Sequence, residues 1–265
     1  MIPFKKILFP VDYSALCKQM VPHVEQMLTH FSAQLTLVRA YTNTDELEEV
    51  PELEQRQLQQ FIALQFPNRH VDGLYQEGET GKVIDDVIRH QGTDLVMMPT
   101  HGHSPRRRFL LGSVTAKVLH DVSAAVWTGV AQAIDRKPCE VAYKKILCAV
   151  DFSEDIEAVL RGAHEMASSY GAQLLFVHAG EGPSLKKDGE ESDANHLSRW
   201  KQKLGIDAPH KMLIGRVAEV VCREAAQEKA DLVVIGRGQI QGMISRIWSH
   251  VYEIVRESPC PVLSI

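Results

Sequence analysis

The chain is short of several things, and each shortage closes off a class of function. It has five cysteines in 265 residues, Cys17, Cys139, Cys148, Cys222 and Cys260, and none form a Cys-x-x-Cys pair. Such spacing suits neither a disulfide framework nor a zinc site and reads as buried thiols in a reducing compartment. Positive charge is not in excess: 29 Lys and Arg face 34 Asp and Glu, a net charge of −5. Generic nucleic-acid binding usually shows a strongly basic domain instead. No apolar run approaches the roughly 18–20 residues that span a bilayer. The start, Met1-Ile2-Pro3-Phe4-Lys5-Lys6, lacks a signal-peptide layout, because its charges precede only a short strand with Asp12 at its end. A Ser-His-Asp ordering, a nucleophile elbow and a paired-carboxylate layout are all missing. The expectation is a cytoplasmic protein without a nucleic-acid or membrane partner and without catalytic or metal-binding residues.

What the chain does have is a second copy of itself. Lys-Ile-Leu-Phe-Pro-Val-Asp-Tyr-Ser at 6–14 returns as Lys-Ile-Leu-Cys-Ala-Val-Asp-Phe-Ser at 145–153, so that Asp12 and Asp151 stand 139 residues apart. Ala33-Gln34-Leu35 is answered by Ala172-Gln173-Leu174, and Asp94-Leu95-Val96 by Asp231-Leu232-Val233 at an offset of 137. A period this long is a duplicated domain, since solenoid units repeat every 20–50 residues or so. The expected organisation is a first domain over 1–130, a linker over 131–142 and a second domain over 143–265, each long enough to bury its own core.

Within each half, short apolar runs alternate with longer helical patterns. The runs are 7–11, 35–40, 71–75, 95–98 and 125–128, then 146–150, 174–179, 210–213, 232–235 and 262–265. Continuous apolarity predicts strands covered on both faces. Helices are predicted over 14–30, 45–65, 82–90 and 113–120, then 153–169, 193–203, 216–228 and 250–257. Ser14 and Ser153 stand where N-caps belong, and Gly171 marks a helix end. The polar stretch 180–193 reads as a mobile loop. Strand–helix alternation implies an α/β fold with two open five-stranded parallel sheets, helices on both faces and right-handed crossovers.

Ligands of open parallel sheets bind outside the carboxyl ends of the strands. Two stretches of the first half meet there. One is Pro10-Val11-Asp12; the other is the loop from Pro99 through His101, Gly102, His103 and Arg106-Arg107-Arg108 into Gly112-Ser113-Val114. Free N–H groups at that helix start suit a phosphate, Gly112 allows close approach, and the Ser113 hydroxyl adds a donor. For the three arginines, a solvated loop is the commoner fate than phosphate contact.

These residues resemble the universal stress protein family, whose motif is Gly-x2-Gly-x9-Gly-[Ser/Thr] after the fourth strand with an Asp ending the first. The first half reads Pro99-x2-Gly102-x9-Gly112-Ser113 with Asp12 in place, and the resemblance covers both halves. It implies two tandem domains packed as a pseudo-dimer, with 125–128 and 262–265 near the internal two-fold axis. It also implies ATP or a related adenine nucleotide, with or without Mg2+, against Pro10, Asp12 and Ala40 at the adenosine end and Gly102, Gly112, Ser113 and Val114 under the phosphates. The departure is Pro99, which fixes φ where the family carries its first glycine.

The second half reads Gly236-x2-Gln239-x9-Ser249-His250, with Trp248 in a normally smaller position, so its site is expected to be degenerate. Asp12 suits local capping as well as ligand contact, and Asp151 suits capping better. Gly236–Gly242 imitates a dinucleotide loop but follows a fourth strand. The stretch 78–82 imitates a P-loop, with Gln76 and Val83 where Gly and Ser/Thr are needed. His101-x-His103 lacks an acidic or thiol partner for a metal. By resemblance the chain is a non-enzymatic stress-adaptation regulator binding an adenine nucleotide in its first half and an unknown protein partner, with homodimerisation open. The alternatives are a weak ATP hydrolase using Asp12 and His101 or His103, and a nucleotide-free scaffold.

Overall fold

The computed structural model describes residues 2–42, 50–101, 111–129, 142–180, 192–237 and 246–265, with backbone only at 50–51 and 246–249. The chain divides into two compact units, Pro3–Val141 and Ala142–Ile265. The first runs β1 (Lys6–Pro10), α1 (Ala15–Phe31), β2 (Gln34–Tyr41), α2 (Val50–Gln65), β3 (Val71–Glu77), α3 (Thr80–Gln91), β4 (Leu95–Pro99), α4 (Ser113–Asp121) and β5 (Ala125–Gly129). Its strands are parallel in the order β3-β2-β1-β4-β5.

The second runs β6 (Lys145–Ala149), α5 (Ile156–Tyr170), β7 (Gln173–Gly180), α6 (Asp193–Leu204), β8 (His210–Ile214), α7 (Val217–Gln227), β9 (Leu232–Ile235), α8 (Arg246–Glu257) and β10 (Val262–Ser264). Its parallel order is β8-β7-β6-β9-β10. Both units are therefore α/β layers with the strand order of a doubly wound sheet. The first strand of each, β1 or β6, lies between the second and the fourth, which places a topological switch point at its carboxyl end.

Continuous apolar runs do become buried strands. β4 and β5 are buried along their whole length, and so is β9. The outermost strands β3 and β8 are different: β3 carries exposed Asp72, Gly73, Gln76 and Glu77, and β8 is only half-buried. Trp127 on β5 and Phe176 on β7 are fully buried in their respective cores.

The opposite, amino edge of each sheet is held by one device used twice. The Asp94 carboxylate accepts the N–H groups of Lys5 and Lys6 at 2.9 and 3.1 Å. Asp231 accepts those of Lys144 and Lys145 at 2.9 and 3.0 Å. An acidic side chain thus ties the start of the first strand to the start of the fourth, satisfying backbone donors that precede the ladder.

Helix ends follow the expected chemistry with one correction. Ser14 caps α1, its hydroxyl oxygen accepting the Cys17 N–H at 3.1 Å. Gly171 closes α5 in the left-handed region at φ 61°. Ser153, however, does not cap α5. Its hydroxyl donates to Asp151 Oδ1 at 2.6 Å, and the helix begins at Ile156 behind Asp155, which makes no side-chain cap bond. A nearby carboxylate has outcompeted the helix for the serine. The predicted helix start at 45, the linker up to residue 141 and the loop over 181–191 lie outside the described residues.

Candidate functional site

The carboxyl edge of the first sheet assembles most of the expected residues. β1 ends at Pro10, and the ladder continues one step further through the Val11 N–H, which donates to Val38 O at 2.9 Å. Asp12 then accepts the Ser14 N–H at 3.0 Å in a tight turn. Between them Tyr13 adopts φ 61°, a left-handed conformation that favours glycine. Ala40 lies two residues beyond Val38, the register partner of Pro10, so Pro10, Asp12 and Ala40 share one corner of the edge. This Asx turn occupies Asp12 Oδ1, while the cap of α1 is supplied by Ser14.

The other corner is where β4 turns into α4. Gly112 is the N-cap residue of α4, and its N–H donates to Thr100 O at 2.8 Å. Its φ is −62°, so no left-handed conformation demands glycine here. A Cβ would instead stand 3.2 Å from Thr100 O and 3.4 Å from His101 Cα. A side chain at this position would therefore crowd the chain's own backbone. Behind this turn the Thr115 hydroxyl donates to Pro99 O at 3.1 Å. The ladder onto β5 uses the Thr100 N–H, which reaches Gly129 O at 3.1 Å, so residue 99 can be proline without losing that bond. The N–H groups of Ser113, Val114 and Thr115 open α4 and have no intrahelical acceptor. Ser113 itself is exposed. His101 is partly buried, its Nδ1 2.9 Å from the Thr100 hydroxyl. Gly102, His103 and Arg106–Arg108 lie outside the described residues.

Sequence reasoning missed the side chains that back this edge. Tyr13 packs between Phe61, at 5.5 Å between ring centroids, and the Arg39 guanidinium, 5.3 Å from its ring centre. Arg39 is fixed in turn by Glu54, Nε to Oε2 at 3.0 Å. Burial pushes the Tyr13 phenol up to about 12 despite the opposing pull of Arg39. Burial likewise pushes the Cys17 and Cys222 thiols up to about 12 and Cys148 higher still, leaving all three as unreactive thiols. The available signal was the aromatic residue that follows each strand-end aspartate, Tyr13 and Phe152.

The second unit uses the same positions otherwise. Val150 N–H donates to Val177 O at 2.9 Å, matching Val11 and Val38. Asp151 is held by both the hydroxyl and the N–H of Ser153, at 2.6 and 3.4 Å. His178 takes the place of Arg39. Its Nδ1 lies 2.8 Å from Val150 O, which can only accept, so Nδ1 carries the proton. Phe152 packs against His178 and stacks on His196, with centroids 4.6 and 5.0 Å away, and the Trp200 indole donates to His196 Nε2 at 3.0 Å. Aromatic rings and self-satisfied polar groups occupy this corner. At the other corner a Cβ on Gly236 would come within 2.7 Å of Val159 Cγ2, and burial pulls the Arg237 guanidinium down to about 10. Gln239 lies outside the described residues.

Among the described residues no group of three or more His, Cys, Asp or Glu is placed to hold a metal, and no helix is long and apolar enough to cross a membrane.

Two duplicated sheets, each with a strand-end aspartate at its switch point, define a tandem doubly wound α/β protein, and comparison with known proteins gives the family. The universal stress protein family model matches residues 3–128 and again 142–265. A universal stress protein of Thermus aquaticus is 32% identical over 137 residues, which is 46% of this chain and 98% of that protein. Among solved structures, a universal stress protein from Archaeoglobus fulgidus superposes with a TM-score of 0.74 at 18% identity, over 98% of this chain and 97% of its own. A functionally unknown protein from Pseudomonas aeruginosa PAO1 does so at 0.68 and 15% identity, over 99% and 92%. The chain belongs to the universal stress protein family.

Proposed function

We propose that the chain is a nucleotide-responsive regulator of stress adaptation that takes one adenine nucleotide, ATP or a relative, in its first unit and none in its second. The supporting observation is the contrast between the two carboxyl edges. In the first, the donors of Ser113 and Val114 at the start of α4 share the edge with Asp12 and Ala40. In the second, the matching aspartate accepts the Ser153 hydroxyl as well as its N–H through Oδ1, and the adjoining corner is packed with Phe152, His178 and His196.

In this reading the triphosphate rests on the α4 amino terminus, where unpaired N–H groups and the helix dipole favour an anion. The Ser113 hydroxyl contributes one further donor. The adenosine end lies toward Pro10 and Ala40, with Asp12 as an acceptor. No chemical step is needed: the nucleotide acts as a signal read by a protein partner.

Titration calorimetry with ATP tests this. The expected result is a stoichiometry of one per chain, about a tenfold loss of affinity in Ser113→Ala, equivalent to about 1.4 kcal/mol, and no measurable binding in Gly112→Val. A stoichiometry of two, or affinity unchanged by Gly112→Val, overturns the assignment.

A further inference from the structure

The turn after β1 carries a strain that ligand binding does not by itself explain. Tyr13 sits at φ 61°, and among the described residues the other non-glycine residues at positive φ are Ser32 and Lys229. A residue with a Cβ persists in that region only where its surroundings hold it. The Asx turn is not what holds Tyr13. In both copies the serine N–H reaches the strand-end aspartate, Ser14 to Asp12 at 3.0 Å and Ser153 to Asp151 at 3.4 Å. Yet Phe152, the counterpart of Tyr13, is not left-handed.

What differs is the group packed on the ring. Arg39, from β2, lies over Tyr13 with its guanidinium carbon 5.3 Å from the ring centre. Glu54, from α2, pins that guanidinium at 3.0 Å. The second copy has the same three positions, each 139 residues on: Phe152, His178 and Asp193. There Nδ1 of His178 is spent on Val150 O, and Nε2 stands 3.9 Å from Asp193 Oδ2, beyond hydrogen-bond reach. The tight clamp accompanies a left-handed turn and a serine, Ser14, that caps its helix. The slack clamp accompanies a relaxed turn and a serine, Ser153, that folds back on its aspartate. A guanidinium is planar and always charged, so it can cover a ring and hold a carboxylate at the same time.

We propose that Arg39 is a positioning residue: clamped by Glu54 and laid over Tyr13, it fixes the turn after β1 and thereby orients Asp12 for the ligand. The fixing of the turn stands on geometry alone. The orienting of Asp12 for an adenosine rests on the nucleotide reading.

Two mutant cycles on the full chain test this, one without ligand and one with it. In urea unfolding, Ser14→Ala is expected to lower the folding constant about fivefold, but by less than about twofold once Arg39→Met has released the turn. Tyr13→Phe keeps the ring, so the full loss on Ser14→Ala should persist in it. A Ser14→Ala loss of equal size with and without Arg39 overturns the proposal. In ATP titrations, Arg39→Met and Asp12→Asn are each expected to weaken binding about tenfold. The double variant should lose little more than either, because Arg39 acts through Asp12. Losses that multiply in the double variant, or an Arg39→Met affinity equal to the parent's, overturn the orienting role. Glu54→Gln replaces Arg39→Met in both cycles should the latter fail to fold. A parent that does not bind ATP defeats the nucleotide reading and the orienting role with it, and the ligand-free cycle alone then decides whether Arg39 fixes the turn.

Discussion

At the scale of single residues, Gly112 shows how one position can carry two meanings. Its spacing from Pro99 and Gly102 reads as a phosphate loop, yet its backbone is ordinary at φ −62°, and what it avoids is a clash with Thr100 O and His101 Cα. A backbone carbonyl at a strand end cannot step aside as a side-chain tip can. Gly112→Ala is therefore expected to destabilise the first unit by about 1–2 kcal/mol, measured as a fall in the urea midpoint at unchanged slope. A glycine needed only for ligand approach would leave the midpoint of the ligand-free protein where it is. Pro99 is explained by the same local accounting: its carbonyl takes the Thr115 hydroxyl, and the donor onto β5 comes from the next residue.

At the scale of elements, the two strand-to-helix turns began as the same sentence, Asp-aromatic-Ser, and ended in different conformations. Ser14 caps α1, while Ser153 turns back to Asp151 and α5 starts at Ile156. Ser14→Ala should cost about 1 kcal/mol of stability. Ser153→Ala should cost no capping energy at all, which guanidinium unfolding of the two variants will resolve. The pattern of strands and helices was legible in the sequence because it rests on apolar periodicity and length, and nearly every strand boundary fell within a residue or two of its expected place. The capping outcome was not legible. It turns on whether a single hydroxyl swings to accept a helix N–H or to donate to a carboxylate, and Ser14 and Ser153 have the same spacing to their aspartates. The Tyr13, Arg39 and Glu54 group was hidden for a related reason: it is drawn from the turn after β1, from β2 and from α2, which only the fold brings together. Of the expected site, Pro10, Asp12, Ala40, Gly112, Ser113 and Val114 are placed at one sheet edge.

At the scale of the whole molecule, acid stability has an identifiable contributor. Glu228, just past α7, accepts from Lys145 at the start of β6 and from Lys211 on the edge strand β8, at 2.6 and 2.7 Å. The hydrogen bond from Lys145, then that from Lys211, pulls its carboxyl down to about 2. A carboxyl depressed in the folded state adds stability above its ordinary value near 4.5, and that contribution is lost as the pH falls from there through about 2. Glu228→Gln should accordingly flatten the loss of Tm across that window and leave the pH 7 to pH 9 range parallel to the parent.

The paired clamps at Asp94 and Asp231 carry a wider consequence. Each fastens the amino end of its sheet, and the two copies still do so with matching residues and nearly matching distances. The divergence described between the copies sits at the far end, in the turns after β1 and β6 and after β4 and β9 and in the side chains of β2, β7 and α6 that back them. Foundations and workshop are therefore separate parts of the same layer. The duplicated copy could lose one recognition surface and furnish another without loosening the anchorage that lets it fold.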